Sequence, residues 1–398
     1  MSKRTLAQLD GARLDGQRVV VRVDLNVPLT DGVVGDDTRI RASLPTIRYL
    51  REKGARVVLL SHLGRPKNGP DPKYSLKPVA RELEKQLGIP ITFLDDPTSE
   101  AAAATVRHLP RGGVALAENT RFYPGEERND PALADRFAAL GDLYVNDAFG
   151  SAHRAHASTE AIAHRLKPAV SGFLMEKELA FLGDAINQPV PPFVAILGGA
   201  KISGKIDLIE ALLPKVDQIL IGGAMACTFF KAMGLETGSS LVEADRVEMA
   251  AALLAKAGDK LVLPTGALIA QTLAAGVATR EVPRDQIPAG WAMFDIDADT
   301  IRCFASIIAT ARTVIWNGPM GVFETPPFDT GTFGVARALA AATAAGAITV
   351  VGGGDSAAAI VAAGLESQVS HLSTGGGASL EFLEGKPLPG VAALDDLP

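Results

Sequence analysis

Five short apolar runs in the second half of the chain each end in a glycine- or proline-rich turn, and this repetition restricts the possible folds more than any other feature. The runs follow residue 190 and read FVAILGG, QILIGGA, KLVLPTG, TVIWNGP and AITVVGGG. Runs of this length with turn residues at their ends are typical of buried strands. Open parallel α/β sheets bind ligands beyond the carboxyl ends of their strands, where glycines let backbone N–H groups approach phosphates. We therefore expect one nucleotide site at these ends.

Strand and helix patterns also alternate in the first half. Strand-like runs lie at 18–25, 55–61, 113–119 and 143–149, with helix-like segments at 38–53, 76–87 and 131–140. Such alternation predicts βαβ units and a mainly parallel sheet. The 398 residues also exceed the length that a single core usually supports. The expected fold class is α/β with two lobes, each a mainly parallel sheet flanked by helices in a Rossmann-like arrangement.

An amphipathic segment separates the two series of strands. The sequence GFLMEKELAFLGDAIN at 172–187 predicts one helix, and the prolines of PVPP at 189–192 end it. We therefore expect a first lobe at 1–171, a hinge helix and linker at 172–192, and a second lobe at 193–378.

The net charge of −6 is distributed unevenly between the lobes. Residues 1–170 carry 25 Lys and Arg against 21 Asp and Glu, whereas residues 171–398 carry 14 against 24. An acidic chain without a run of basic residues is a poor candidate for binding nucleic acid, so the basic excess indicates a site for a small anion. We expect metabolites as partners.

Several features favour a cytoplasmic protein that does not contact a membrane. The N-terminus lacks an apolar signal core, and no stretch approaches the ~20 apolar residues of a membrane span. The two cysteines, Cys227 and Cys303, lie far apart, which suits a reducing compartment. We expect both to be buried structural thiols.

The segment GGAKISGKIDLIEALL at 198–213 predicts a strand end followed by a helix that begins near Ala200. Lys201 and Lys205 would then share one helix face. Two lysines in a first turn repel each other and oppose the helix dipole, and a bound phosphate would offset both effects. The alternative is a solvated lysine pair. The glycine pair at 198–199 favours the phosphate.

Two glycine patterns match nucleotide motifs only in part. Residues 199–205 resemble the Walker A pattern, but Ile206 stands where a Ser or Thr hydroxyl would contact Mg²⁺, so we treat the match as accidental. Gly352, Gly354 and Ala357 fit the dinucleotide fingerprint, yet no acidic residue stands ~20 positions further on. A dehydrogenase is therefore disfavoured, and no NAD is expected.

Two acidic residues of the second half stand at candidate nucleotide contacts. Asp355 follows three glycines at a predicted helix start, where a carboxylate beside phosphate-binding amides suits Mg²⁺. Alternatively, Asp355 or Ser356 is the N-cap of that helix, and the two roles are compatible. The segment WNGPMGVFE at 316–324 supplies a rigid turn and Glu324, whose carboxylate could accept hydrogen bonds from ribose hydroxyls. Without other evidence, this segment indicates only a turn.

Cationic side chains stand at the strand ends of the first half. Planar guanidinium groups suit carboxylates and phosphates, so several arginines together could bind a small polyanion. Any one of them alone is more often a surface residue. The candidates are Arg39, Arg65, Arg121 and Arg154, beside the motifs RVDLN, HLGR and NDAFGSAHRAH.

Eight motifs, in this order, resemble those of the phosphoglycerate kinase family: RVDLNVP, SHLGRP, ENTRF, NDAFGSAHRAH, GGAKISGKI, WNGPMGVFE, GGGDS and STGGGASLEFLEGK. The resemblance extends from about residue 18 to residue 390. It implies reversible phosphoryl transfer between 1,3-bisphosphoglycerate and ADP, giving 3-phosphoglycerate and ATP. It further implies that the acid binds the first lobe, that the Mg-nucleotide binds the second lobe, and that a C-terminal tail at 379–398 packs on the first lobe. We expect a monomer without a structural metal.

The resemblance also implies a set of site residues, matched motif by motif. Substrate contacts fall on Asp24, Asn26, Arg39, His62, Leu63, Gly64, Arg65, Arg121 and Arg154. Nucleotide contacts fall on Gly199, Ala200, Lys201, Lys205, Gly223, Asn317, Glu324, Gly353, Gly354, Asp355 and Ser356, with Asp355 as the Mg²⁺ ligand. A helix-start loop near the phosphates comprises Thr374, Gly375, Gly376 and Gly377. The catalytic residues implied are Arg39, Lys201 and Lys205.

Three segments depart from the family pattern, all on the nucleotide side. Gly204 stands where the family often has Asp, and LPTG at 263–266 where it often has Leu-Pro-Val-Asp. DIDADT at 295–300 replaces the usual Asp-Ile-Gly-Pro-x-Thr. These departures bear on nucleotide affinity and not on the reacting centre.

The chemistry of this transfer requires no general base, because neither the carboxylate nor the ADP β-phosphate oxygen carries a proton at neutral pH. Catalysis must come from in-line positioning and from cations that neutralise charge on the transferring phosphoryl group. Our candidates are Lys201, Arg39 and Mg²⁺. The lobes must close to bring the reactants together and exclude water. The competing hypothesis is a non-catalytic adenine-nucleotide-binding protein, which would not need the first-lobe cations.

Overall fold

Parallel strands flanked by helices build the first half of the computed structural model, which describes residues 3–9, 14–67 and 69–397. The elements in chain order are β1 (Arg18–Arg22), β2 (Leu29–Thr30), β3 (Val33–Val34), α1 (Thr38–Glu52), β4 (Arg56–Leu60), α2 (Lys77–Leu87), β5 (Ile91–Leu94), α3 (Glu100–Arg107), β6 (Val114–Ala117), α4 (Pro131–Ala138), β7 (Leu143–Asn146) and β8 (Ala169–Ser171). Six strands form one parallel sheet in the order β5-β6-β4-β1-β7-β8. β2 and β3 form a separate antiparallel hairpin.

The unbroken apolar runs of the sequence follow from a sheet that is covered on both faces. In β1, Val19 and Val21 contribute to one hydrophobic cluster, whereas Val20 contributes to another. β4 divides in the same way, with Val57 in the first cluster and Val58 in the second. Since successive strand residues point to opposite faces, a strand buried on both faces is apolar throughout. The predicted strand and helix segments of the first half are confirmed, with slightly shorter bounds.

The second half repeats this architecture. Its elements are α5 (Phe173–Asn187), β9 (Phe193–Leu197), α6 (Ile206–Leu212), β10 (Gln218–Ile221), α7 (Met225–Ala232), α8 (Val247–Ala257), β11 (Leu261–Val262), β12 (Gly266–Ala270), β13 (Arg280–Pro283), β14 (Ala292–Ile296), α9 (Ala298–Thr310), β15 (Thr313–Asn317), α10 (Thr330–Ala344), β16 (Ile348–Gly352), α11 (Gly354–Ala362), β17 (His371–Leu372) and α12 (Gly377–Leu383). The parallel sheet has the order β11-β10-β9-β15-β16-β17. The five glycine- and proline-ended runs are all strands of this sheet, as predicted.

A small antiparallel sheet in the order β13-β12-β14 was not predicted from the sequence. Two segments that depart from the family pattern adjoin it. Gly266 of LPTG begins β12, and a Cβ there would lie 2.2 Å from the carboxylate of Asp297. Asp297 is the N-cap of α9 and accepts from Thr300 N at 2.9 Å. The DIDADT sequence therefore builds a capped helix start directly after β14.

The chain divides into two compact units. The first unit extends to Ala180 and resumes at Pro387, and the second unit comprises Phe181–Lys386. The division lies within α5, which is one helix, as the 172–187 pattern predicted. The C-terminal segment includes α13 (Pro389–Ala392), whose Gly390 O accepts from Asn146 Nδ2 at 3.0 Å. This segment is shorter than the expected tail from 379, because α12 contacts α6 in the second unit.

The two cysteines differ in burial. Cys227 on α7 is buried, with its Sγ 3.6 Å from Met293 Sδ, and burial raises the pKa of its thiol to about 11. Cys303 on α9 is only partly buried, so the expectation of two buried thiols is wrong for this residue. α9 is amphipathic and buries Phe304 and Ile308, which leaves the neighbouring position 303 at the edge of its apolar face. Within the described parts of the chain, no helix has the length and apolarity to cross a membrane.

Candidate functional site

Polar residues follow three neighbouring strands at one edge of the first-unit sheet. Asp24 and Asn26 follow β1, residues 62–65 follow β4, and Arg121 follows β6. The chain passes from β1 to β4 on one side, whereas β7, on the other side of β1, is reached from β6, so the strand order reverses beside β1. Ligands of open α/β sheets bind at such a switch point. The substrate residues predicted from the sequence therefore come from strand ends that lie along the same edge.

Arg39 of α1 joins the residues that follow β1. Its Nη1 donates to both carboxylate oxygens of Asp24 at 3.1 Å and to Asn26 O at 3.3 Å. Asn26 Oδ1 in turn accepts from Gly64 N at 2.8 Å. The side chain of Arg39 is 36% exposed, so its remaining N–H groups are accessible to a ligand. Asp24 therefore orients Arg39 without enclosing it.

The turn after β4 is fixed by its neighbours. Gly64 has a φ of +60°, and a Cβ there would lie 2.4 Å from the Tyr74 ring, so only glycine fits. Gly64 O accepts from Arg121 Nη1 at 2.6 Å, and Leu63 N donates to Asn119 Oδ1 at 3.2 Å. Leu63 is buried behind the turn. The turn thereby connects the ends of β1, β4 and β6.

A buried arginine fixes the hydrogen-bonding state of His62. Arg22, which is almost fully buried, donates from Nη2 to His62 Nδ1 at 3.0 Å and from Nε to Ser158 Oγ at 2.8 Å. Ser158 Oγ donates to Glu126 Oε1 at 2.5 Å. Burial, together with Arg22 and Arg121, lowers the pKa of His62 well below its ordinary value. A neutral ring that accepts at Nδ1 carries its hydrogen on Nε2, so His62 offers a hydrogen-bond donor.

Arginines supply the positive charge at this edge, whereas His156, like His62, is uncharged at neutral pH. Burial lowers the pKa of Arg121, as do neighbouring Arg154 and Arg22, against the opposing effect of Glu127. Burial and then the same arginines lower the pKa of His156 to about 3. Arg154 is half-buried, and Arg65 lies exposed in the stretch after the turn. Such a concentration of positive charge attracts an anion.

The sequence alone does not reveal the residues that support this site. Arg22 stands in the RVDLN motif as a strand-end cation, and no motif marks Ser158 or Glu126. Ser158 lies 136 residues from its partner Arg22, so no local spacing connects them. The one usable signal was a charged residue within a run that otherwise reads as a buried strand.

The second-unit sheet presents glycines at its own switch point between β9 and β15. Gly199 N donates to Pro319 O at 3.0 Å, and Gly223 N donates to Met320 O at 2.9 Å. A Cβ at Gly198 would lie 2.1 Å from Pro319 O, and one at Gly223 would lie 2.4 Å from Gly199 O. The loops after β9, β10 and β15 therefore contact one another backbone to backbone.

The predicted helix start near Ala200 is wrong. α6 begins at Ile206, with Lys205 as its N-cap residue. Lys201 lies exposed in an irregular stretch before the helix, so the two lysines do not share a helix face. We call residues 200–205 the lysine turn.

The lysine turn remains outside the helix for identifiable reasons. Gly199 has a φ of +111°, a conformation that no helix contains. Glu243 Oε2 accepts from Ser203 N at 3.0 Å, and Oε1 accepts from Ser203 Oγ at 2.5 Å. Gly204 adds backbone freedom that disfavours a helix. No local pattern predicts the role of Glu243, because it lies 40 residues from Ser203.

Lys205 joins the ends of two central strands. Its Nζ donates to Asn317 Oδ1, and Asn317 Nδ2 donates to Gly352 O at 2.9 Å. Burial lowers the pKa of Lys205 to about 8, although the charges of Asp355 and Glu384 act to raise it. Lys205, Asn317 and Asp355 are therefore neighbours, as the nucleotide assignment requires.

The residue that caps the start of α11 is not one of the two that the capping alternative proposed. Gly353, with a φ of +94°, is the N-cap, and a Cβ there would lie 2.9 Å from Asn317 Nδ2. Asp355 is exposed in the first turn, whereas Ser356 is buried and accepts from Gly318 N at 2.6 Å. The interpretation of Asp355 or Ser356 as the N-cap is thus wrong. The Asp355 carboxylate remains accessible to a ligand.

Two further predicted contacts lie on neighbouring loops. Glu324 is exposed in the turn between β15 and α10. The 374–377 loop leads into α12, which begins at Gly377 with Gly376 as its N-cap. Gly375 N donates to Ser373 Oγ at 3.1 Å, which fixes the loop before the helix. The predicted helix start is confirmed.

The donor set near α11 fits a magnesium ion held mainly by its nucleotide. Among the described residues, no group of three or more His, Cys, Asp or Glu side chains could hold a metal by itself. Mg²⁺ is commonly bound by one or two carboxylates together with substrate phosphates. The exposed carboxylate of Asp355, next to the Gly353–Gly354 backbone, suits that arrangement.

Comparison with known proteins places this geometry in a family. A family model described as phosphoglycerate kinase matches residues 9–386. A phosphoglycerate kinase of Chloroflexus aurantiacus is 57% identical over 402 residues, covering 100% of both chains. A cytosolic phosphoglycerate kinase of Nicotiana tabacum is 54% identical over 99% of both chains. The solved structure of phosphoglycerate kinase from Coxiella burnetii superposes with a TM-score of 0.89 at 40% identity, over 98% of each chain.

Proposed function

Because the chain belongs to the phosphoglycerate kinase family, we propose that its two units divide the substrates of that reaction. The chain is a phosphotransferase with a carboxyl group as acceptor. It transfers a phosphoryl group reversibly between 1,3-bisphosphoglycerate and ADP, giving 3-phosphoglycerate and ATP, a step of glycolysis. We assign the acid substrate to the first unit and the nucleotide to the second.

One observation carries this assignment. The carboxyl ends of the first-unit strands collect cationic side chains, whereas those of the second-unit strands collect glycines whose backbones make close contacts. Guanidinium groups suit a small acid that carries carboxylate and phosphate. Glycine-rich strand ends suit the phosphates of a nucleotide. A protein that only binds adenine nucleotides would have no use for the first set, so that alternative is not favoured.

In the first unit, we assign charge recognition to the arginines and orientation to the hydrogen-bond network around them. Arg39, oriented by Asp24, and the cluster of Arg121 and Arg154 supply positive charge for the anionic groups. His62 supplies a neutral donor at Nε2. Arg65, exposed beside the turn, is an additional contact. Asn26, Leu63 and Gly64 form the surface on which the acid lies.

In the second unit, we assign the nucleotide's phosphates to Lys205 and to the backbone near 199–200, 223, 353–354 and 374–377. Asn317 orients Lys205, and Ser356 fixes the loop after β15 through Gly318 N. Glu324 is assigned to the ribose hydroxyls. Asp355, together with the phosphate oxygens, would hold Mg²⁺, which would supply positive charge to offset the negative charge of the phosphates.

The reaction step rests on charge and position. The attacking oxygen is already ionised, so the chain needs only to align the reactants and stabilise the charge of the transferring group. Lys201 is accessible in the lysine turn, and Arg39 presents free N–H groups from the first unit. We assign both to the transferring phosphoryl group. We also propose a monomeric, cytoplasmic enzyme, in line with relatives that are named cytosolic.

A coupled assay with 3-phosphoglycerate and MgATP tests the reaction, and Lys201→Met tests the assignment of the charge. Met retains much of the side-chain volume without the ammonium group. A preorganised charge contact to a transition state is worth ~2.7–4 kcal/mol, so kcat should fall by about 10²–10³ while the Kd for MgADP changes little. Lys215→Met, at an exposed lysine of the same unit, is the matched control. Wild-type kcat in a folded Lys201→Met variant would remove Lys201 from the mechanism.

A further inference from the structure

Glu243 connects the lysine turn to the body of the second unit. It precedes α8, and its backbone N donates to Thr228 Oγ1 at 3.1 Å. Thr228 is buried in α7. The Glu243 carboxylate accepts from both the backbone N and the side-chain Oγ of Ser203, at 3.0 Å and 2.5 Å. One carboxylate therefore ties an irregular stretch to a buried helix.

The position of Lys201 depends on the contacts that hold the backbone on either side of it, and the Glu243 contact is one of them. Before the lysine, Gly199 N is bonded to Pro319 O at 3.0 Å. At the end of the turn, Lys205 Nζ is bonded to Asn317 Oδ1. Between them the helix has not yet begun, the Ile202 side chain is buried, and the Glu243 carboxylate accepts from the backbone of Ile202 and Ser203. Without that carboxylate, Ser203 would lose its two hydrogen bonds to Glu243, and the backbone that carries Lys201 would gain freedom.

We propose that Glu243 is a positioning residue, whose carboxylate holds the lysine turn so that Lys201 meets the transferring phosphoryl group. The inference rests on the proposed function, in which Lys201 acts on that group. Glu243 acts through Ser203 and does not contact substrate. The residue therefore contributes preorganisation, which lowers the cost of reaching the reactive geometry.

The charge state of Glu243 suits this role. Burial acts to raise the pKa of its carboxyl, but hydrogen bonds from the side chain and backbone of Ser203, from Ile202, and the charge of Lys201 together lower that pKa. The carboxylate is therefore ionised at neutral pH and accepts strong, charge-assisted hydrogen bonds. Its proximity to Lys201 also gives the ammonium a counter-charge.

A double-mutant cycle in kcat separates positioning from a purely structural role. Glu243→Ala should lower kcat by about tenfold, since small misplacements of a reacting group are costly, with the KM for MgATP nearly unchanged. Glu243→Gln keeps one acceptor oxygen and should recover most of that loss. In a Lys201→Met background, Glu243→Ala should have little further effect, because it acts through that lysine. Glu248→Ala, at an exposed carboxylate in the first turn of α8, is the matched control and should retain wild-type kcat.

The outcomes distinguish this inference from the proposed function. If Lys201→Met lowers kcat but Glu243→Ala does not, the positioning role is wrong and the role of Lys201 stands. If both single variants lower kcat and their effects multiply in the double variant, Glu243 acts independently of Lys201 and the inference is overturned. If Lys201→Met retains wild-type kcat, the proposed role of the lysine fails, and the inference fails with it.

If Glu243→Ala does not fold, Ser203→Ala removes the hydroxyl contact alone. That variant should still lower kcat a few-fold, and unchanged kcat would overturn the inference.

Discussion

In both units the candidate site lies at the carboxyl ends of parallel strands. Side chains form the site of the first unit, whereas backbone groups form the site of the second. In the first unit, side chains make the site: Arg39 is fixed by Asp24, and Arg22 fixes His62. In the second unit, backbone makes the site: Gly199, Gly223 and Gly353 adopt left-handed conformations. In the second unit, a Cβ at Gly198, Gly223 or Gly353 would lie within 3 Å of a neighbouring atom, whereas in the first site this holds at Gly64.

The difference matches what each proposed ligand presents. A small acid has few atoms, so charged side chains must converge on it from several strands. The phosphates of a nucleotide accept hydrogen bonds from several backbone N–H groups at once, and glycine-rich strand ends can provide these groups. The charge of the two halves reflects this division, since the first half is basic and the second acidic.

Among the changes that separate the two candidate sites, the largest effect is expected where a side chain is introduced into the glycine site. Gly223→Ala places a Cβ 2.4 Å from Gly199 O at a φ of +70°, so the loop must move. Strain of this kind costs about 1–3 kcal/mol, and kcat/KM for MgATP should fall by up to about 10². The KM for 3-phosphoglycerate should be nearly unchanged. Steady-state kinetics with each substrate varied in turn would measure both.

The control for Gly223→Ala is Gly364→Ala, where the backbone has a similar φ of +69° but an added Cβ meets nothing within 4 Å. That variant should retain wild-type kinetics, with only the modest loss of stability that a positive φ brings. Equal kinetic losses in the two variants would show that the loss comes from the backbone conformation and not from the close approach of the loops.

The same contrast explains how much of the molecule the sequence could predict. Strand runs and their turns were predicted well, because burial on both faces makes β9 continuously apolar and makes β1 apolar between its terminal arginines. The helix start near Ala200 was wrong because Glu243, remote in sequence, holds Ser203 outside the helix. Propensity cannot anticipate such a tertiary contact.

The site residues also differ in how well the sequence predicts them. Lys205, Asn317 and Asp355 were identified from local motifs, and the structure brings them together. Arg22 and Glu126, which support the acid site, carry no local motif because their partners lie at distant positions in the chain. Local patterns therefore predict the groups that face a ligand better than the groups that hold them.

The pH dependence of the kinetics with each substrate also distinguishes the two units. The pKa of Lys205 is lowered to about 8 by burial, so its positive charge is present below pH 8 and is lost as pH rises through that value. For the free enzyme, kcat/KM for MgATP should then decline above pH ~8, approaching about tenfold per pH unit. The arginines of the first unit stay charged, so the KM for 3-phosphoglycerate should be nearly flat between about pH 7 and 9.

Lys205→Arg is the matched variant, because it retains a positive charge throughout this range. Its kcat/KM for MgATP should show no inflection near pH 8, whatever its absolute value. An inflection that persists in Lys205→Arg would assign the titration to another group.

A smaller effect is expected from Asp355, the proposed metal ligand. Asp355→Asn replaces a carboxylate by a neutral amide, which is a weaker ligand for a hard cation. The Mg²⁺ concentration for half-maximal activity should rise a few-fold, because the phosphates still supply most of the ligands. A Mg²⁺ titration of activity at fixed total ATP measures this shift. An unchanged midpoint would leave Asp355 without a role in metal binding.

The most direct test of the division between the two units is calorimetry of each ligand against one variant from each unit. Arg154→Ala removes charge from the cationic edge, and Lys205→Met removes charge from the glycine site. A charge-assisted contact is worth about 1.5–3 kcal/mol, so each variant should weaken its own ligand by roughly tenfold or more. We predict that Arg154→Ala weakens 3-phosphoglycerate and leaves MgADP unchanged, and that Lys205→Met does the reverse. Weakening of both ligands by either variant, or of the opposite ligand, would contradict the assignment.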